Sequence, residues 1–138
     1  MSYSVVWFKR DLRVADHAAL HAAAQRPMLC LYVIEPSVWA QPDAAHQHYQ
    51  FLLESLRDLD AELRRFGGKL HVLAGEFVDV LARLFIANPF EAVYAHEETG
   101  NDVTFKRDLA VGQWCESNRV EFNEFRQFGV VRGLSSRN

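Results

Sequence analysis

The chain has 138 residues, 49% hydrophobic and 12% aromatic, enough for one domain with a real core and too apolar for disorder. Its 15 basic residues face 18 acidic ones, a formal net charge of -3, which argues against a free-standing nucleic-acid binder, since phosphates demand an excess of Lys and Arg. Two cysteines placed inside regular elements, no signal-like N-terminus and no apolar run of spanning length point to a soluble, cytoplasmic protein without a membrane partner.

The chain opens with an apolar run, Val5 to Phe8, the pattern of a central parallel strand buried on both faces. Lys9, Arg10, Asp11, Arg13 and Asp16 follow at its carboxyl end, where ligands gather in open α/β sheets. Asp16 reads as the cap of an alanine-rich helix to about Gln25, ended by Pro27. Met28 to Ile34 is a second both-faces-buried strand, stopped at Glu35-Pro36. Ser37 to Ala45 reads as a loop.

The longest helix, about His46 to Phe66, carries Tyr49, Leu52, Leu53, Leu56, Leu59, Leu63 and Phe66 at intervals of three and four, and Gly67-Gly68 closes it with a left-handed cap. Lys69 to Ala74 is a third strand, Phe77 to Ala87 a short helix and Glu91 to Ala95 a fourth strand. A polar run, His96 to Asp102, leads into a helix over Asp102 to Ser117, and Val120 to Phe125 is a fifth strand. Arg126 to Asn138 is a basic loop or tail. Strand and helix alternate throughout, so the fold class is α/β with a parallel sheet. With the order 3-2-1-4-5, the exits of strands one and four flank the switch point, and both are rich in polar groups.

Neither a G-x-G-x-x-G nor a G-x-x-x-x-G-K-[ST] loop is present, so the common phosphate cradles are excluded. His17 and His21 stand four apart without a third ligand, and partly exposed helix histidines are the expectation; His46 and His48 diverge at a helix start. No Ser/His/Asp or Cys/His set can be assembled. Asn101 or Asp102 can serve simply as a helix N-cap, and the same terminus favours an anionic or polar ligand.

Several separated motifs resemble the DNA photolyase/cryptochrome family. They are Val5-Val6-Trp7-Phe8-Lys9-Arg10-Asp11-Leu12-Arg13 with Asp16-His17 and Leu20, then Glu97-Glu98-Thr99-Gly100-Asn101, Lys106-Arg107-Asp108, Val111 and Trp114-Cys115. A last one runs from Glu124 through Arg126, Gln127 and Gly129 to Arg132. The resemblance covers essentially the whole chain in order. It implies a Rossmann-like N-terminal α/β domain over residues 1–132, with 133–138 a tail or the start of a linker, and helices on both faces of the five-stranded sheet. It also implies an antenna chromophore (a folate, a deazaflavin or a flavin) in this domain. FAD, the electron-transfer tryptophans and the groove for damaged DNA belong to a C-terminal helical domain that this chain lacks. The expectation is therefore a cloned domain or truncated product that is not catalytic alone. Its parent would be a blue-light flavoprotein, either a deoxyribodipyrimidine photolyase (a lyase acting on pyrimidine dimers) or a photoreceptor relative. Trp7, Trp39 and Trp114 belong to the α/β motifs.

Transferred residue by residue, the resemblance puts Phe8, Lys9, Arg10, Ile34, Glu35 and Glu98 near a flavin or deazaflavin ring, Phe8 and Ile34 as the apolar wall. Folate-binding members use an Asn-Glu pair where this chain has Asn101-Asp102, and a histidine where it has Pro42, which counts against folate. Asp11, Arg13 and Asp16 are expected to hold the turn or to meet the helical domain. Two other readings stay open: a stand-alone nucleotide-binding, stress-protein-type domain, and an interaction module that forms a homodimer through the surface otherwise facing the helical domain.

Overall fold

The computed structural model describes residues 2–40, 49–98 and 102–126. Five strands form one parallel sheet in the order β3-β2-β1-β4-β5: β1 (Ser4–Phe8), β2 (Met28–Ile34), β3 (Leu70–Ala74), β4 (Ala92–His96) and β5 (Glu121–Phe125). Five helices connect them: α1 (Ala18–Ala23), α2 (Pro36–Trp39), α3 (Tyr49–Arg65), α4 (Phe77–Ala87) and α5 (Asp102–Ser117). The open parallel sheet and its order are those expected.

Alternation along the central strands divides the core in two. Val5 and Trp7 of β1 face Phe77, Val80 and Leu81 of α4 and Val111 and Cys115 of α5. Val6 and Phe8 face Leu20 of α1 and the Leu52-Leu56-Leu59-Leu63 stripe of α3. All five residues of β1 are buried, which is why that strand reads as an unbroken apolar run. Trp7 stacks on Phe77 with ring centroids 3.7 Å apart, tying β1 to the start of α4. Both cysteines are free and buried, and burial pushes Cys30 up to about 11 and Cys115 up to about 12, so neither is a reactive thiolate.

Three local expectations change. The helix α1 starts later and ends earlier than the alanine run suggests, and its cap is His17, not Asp16. His17 Nδ1 accepts from the Leu20 N–H at 2.9 Å, while Asp16 takes a left-handed φ of 51° in the preceding turn. Arg13 closes that turn, its guanidinium donating to the Ala15 and Asp16 carbonyls at 3.0 Å each. The segment after β2 forms α2 where a loop is expected, because Pro36 sits at the first helical position and its missing N–H costs nothing there. The predicted start of α3 at His46 lies outside the described residues. Its end is as read: the Gly67 N–H bonds the Arg64 carbonyl and the Gly68 N–H the Leu63 carbonyl, with Gly67 at φ 88°. Among the described residues no helix is long and apolar enough to cross a membrane.

Candidate functional site

The register of β1 against β2 pairs Phe8 with Tyr32, so the two strands end side by side. Between their exits, α2 and α3 leave a cavity of about 450 Å³, within the range of small-molecule sites. Phe8, Tyr32, Trp39 and Phe51 supply aromatic walls, and Arg10, Glu35, Glu98 and Arg107 supply polar groups. Of the residues expected near a ring, Phe8, Lys9, Arg10, Glu35 and Glu98 line this space. Ile34 packs instead against the core on the α3 side of the sheet, and its neighbour Val33 lines the cavity. Asp102 is exposed on the first turn of α5, 4.0 Å from Lys106, and Asn101 lies outside the described residues.

Arg107 organises the polar side. Its guanidinium donates to Glu35 Oε1 at 2.6 Å, Glu98 Oε1 at 2.5 Å and Asp108 Oδ1 at 2.9 Å, with its Cζ 4.8 Å from the Trp7 ring centroid. Burial works against its charge, yet Glu35, Asp108 and Glu98 together hold its pKa above the ordinary arginine value. Arg10 is mostly exposed and reaches Glu98 Oε2 at 3.1 Å, so both oxygens of Glu98 are occupied by cations. Lys9 turns its buried ammonium toward Asp108 at 3.2 Å and Glu124 at 3.9 Å, across the Trp7 ring at 4.2 Å. Burial drives the Glu35 carboxyl up to about 7 and, with Glu35 beside it, the Tyr32 phenol up to about 12.

Beneath this wall lies a buried cluster of Asp11, His17 and His96. Asp11 Oδ1 accepts the Lys9 N–H at 2.7 Å, and Oδ2 accepts from His96 Nδ1 at 2.7 Å. His17 Nε2 lies 2.7 Å from the same Oδ2. Because His17 Nδ1 is an acceptor from Leu20, its proton sits on Nε2, facing Asp11. Burial alone would raise the Asp11 pKa, but the bonds from His17, His96 and the Lys9 N–H hold the carboxyl well below the usual range. The ligand atoms lie within 4.8 Å of one another, the span of a metal set, but the nitrogen-to-oxygen separations of 2.7 Å are those of hydrogen bonds already made. The cluster is a brace: the His17 ring packs 4.7 Å from Phe8 and 4.4 Å from His96, fixing the cavity floor.

His17 is therefore not the partly exposed helix histidine expected. The residues that sequence reasoning missed are His17 and His96 as partners of Asp11, and Tyr32, Trp39, Phe51 and Arg107 in the wall. Arg107 stood inside a family-like motif, and His96 opened the polar run after β4.

The DNA photolyase family model matches residues 4–132, nearly the whole chain and all five strands. The chain belongs to the DNA photolyase family. Cryptochrome-2 of Gallus gallus is 40% identical over 84 residues, and Cryptochrome-1 of Sylvia borin 36% over the same length. In both cases the match covers 59% of this chain and 14% of the relative. A Sulfolobus tokodaii archaeal photolyase, described as holding two FAD molecules with the implication of a novel light-harvesting cofactor, superposes with a TM-score of 0.79 at 29% identity. That fit covers 89% of this chain and 29% of the archaeal one. A class III photolyase from Agrobacterium tumefaciens shares the fold at a TM-score of 0.81 and 23% identity, over 91% of this chain and 26% of its own. The chain thus spans a small part of the relatives it matches.

Proposed function

We propose that this chain is the antenna-chromophore-binding α/β domain of a photolyase/cryptochrome-type blue-light flavoprotein, with the cavity between the β1 and β2 exits as the chromophore site. The observation that carries the reading is the wall itself: four aromatic side chains around about 450 Å³, with a buried arginine–carboxylate network along one side, at the edge of the sheet where ligands of such folds collect. A flat ring fits those walls by stacking, and the polar groups orient it. When bound, the chromophore supplies near-ultraviolet or blue absorption. The chain's own part is to fix the ring, exclude water and hold its edge groups. Phe8, Tyr32, Trp39 and Phe51 would sandwich it; Arg10, at the exposed rim, is free on its outer side for an anionic tail.

Light-dependent repair of pyrimidine dimers belongs, in this reading, to the longer parent protein, whose helical domain would hold FAD and meet DNA. The domain has no catalysis of its own. The test is direct: mix the purified chain in turn with FMN, a 5-deazaflavin and methenyltetrahydrofolate, separate bound from free by gel filtration, and record absorption. Co-elution of a flavin or deazaflavin with the protein supports the site, and a Trp39→Ala, Phe51→Ala double variant should weaken it at least about tenfold. Tight ATP binding with no chromophore retained would overturn the reading in favour of a stress-type nucleotide binder.

A further inference from the structure

The sheet ends at β3 on one side and at β5 on the other, and the two edges are built differently. β5 carries Glu121 and Glu124 within its five residues, and charges along an edge keep a second strand away. β3 reads Leu70-His71-Val72-Leu73-Ala74, with no Lys, Arg, Asp, Glu or proline. Val72 is 41% exposed and Leu73 38%, on opposite faces of the strand, so apolar surface wraps around the edge itself. One bond fixes which way the backbone groups of β3 point. The Gly75 N–H donates to the Ile34 carbonyl at 3.0 Å, and β2 and β3 pair in parallel. His71, Leu73 and Gly75 therefore turn their N–H and C=O groups toward β2, while Leu70, Val72 and Ala74 turn theirs outward. The Leu70 N–H is met within the chain, by Asp60 Oδ1 at 2.8 Å.

We propose that β3 is a self-association edge, pairing antiparallel with β3 of a second copy of this chain about a two-fold axis at Val72. Two five-stranded sheets then become one. In this register Val72 faces Val72 of the second copy, and the two exchange both of their N–H···O bonds. The Ala74 N–H of each copy donates to the Leu70 carbonyl of the other, and the Leu70 N–H stays with Asp60. The charges that flank the strand are complementary in the same register. Lys69, exposed, comes opposite Gly75 of the second copy and beside its exposed Glu76, once at each end of the seam. The pairing is isologous, so it closes at two copies; β3 laid on β5 of a second copy would leave an edge open at either end and keep growing. The occupant is thus another β3, which offers the same uncharged strand and the same outward groups. This inference is independent of what the cavity binds.

Sedimentation equilibrium of the purified chain over a wide range of concentration tests it. The mass should rise from one chain to two and stop there. Amide hydrogen exchange on the same samples should slow at Val72 and Ala74 as the dimer forms, since those N–H groups enter the seam. Val72→Lys sets two ammonium groups against each other across the axis and should raise the dimer dissociation constant at least about tenfold. The side chain it replaces is on the surface, and circular dichroism checks that the fold is kept. Lys69→Glu, also exposed, places like charges at both ends of the seam and should weaken the dimer more at low salt than at high salt. A chain that keeps the mass of one copy at every concentration overturns the proposal. So does a dimer that neither variant weakens, or one in which the Val72 and Ala74 amides exchange as fast as in the monomer.

Discussion

Asp11 binds three donors from three different parts of the chain: the Lys9 N–H beside it, His17 at the start of α1 and His96 at the end of β4. It is almost fully buried, so each of those donors has lost water and has no substitute. Asp11→Asn keeps one oxygen but turns an amide NH₂ or a neutral acceptor toward two imidazole N–H groups. We expect a loss of about 3–5 kcal/mol, read as a lower urea midpoint with an unchanged slope. An undiminished midpoint would show that the cluster is dispensable. Arg107 works by the same logic on the cavity side, where one guanidinium satisfies three carboxylates and lies against the face of Trp7. A lysine there could not serve three acceptors in one plane.

At the scale of elements, the joint between β1 and α4 depends on one aromatic stack, Trp7 on Phe77, with Phe77 only 1% exposed. Phe77→Ala should cost about 3–5 kcal/mol in denaturant unfolding, since the rigid sheet above it cannot collapse into the gap; a loss under about 1 kcal/mol would mean that α4 is held elsewhere. The elements differ in how plainly the sequence announces them. β1 and β2 are legible because central parallel strands are buried on both faces and so appear as continuous apolar runs. α2 is not, because Pro36 ends a strand and begins a helix with the same ring, and four residues show no periodicity. The cap of α1 is equally hidden: Asp16 has the better propensity, but His17 is fixed by Asp11, whose other partner, His96, lies 85 residues along the chain from it. Within the site, topology marks the polar exits of strands one and four, and it is the family resemblance that singles out Phe8, Arg10, Glu35 and Glu98 there. Arg107 is not singled out for the site, because an arginine inside a helix ordinarily reads as solvated, and its burial is decided by Glu35 and Glu98 at separations of 72 and 9 residues.

For the whole molecule, two buried acids pull stability in opposite directions with pH. The Asp11 pKa is lowered on folding, so its contribution is full above the ordinary carboxylate value of 3.8 and is lost as pH falls below it. The Glu35 pKa is raised from 4.5 to about 7, so its contribution is full below 4.5 and is lost as pH rises through 7. Glu124, raised by burial beside Asp108, adds to the second effect. Unfolding free energy should therefore peak on the mildly acidic side and fall by on the order of 2–3 kcal/mol between about pH 5 and 8. Urea titrations across that interval check it, and Glu35→Gln should remove most of the decline. A wild-type curve that rises toward pH 8 would refute the assignment.

The placement of the three tryptophans has a practical consequence. Trp7 and Trp114 lie on the side of the sheet covered by α4 and α5, and Trp39 lines the cavity. The chain thus carries an internal optical gauge, with Trp39 in the cavity wall and Trp7 one side chain behind it, 4.8 Å from the Arg107 guanidinium carbon. Filling the cavity with a blue-absorbing ring should extinguish the Trp39 share of the emission first, so that occupancy can be counted from the protein's own light, without a label or a separation step.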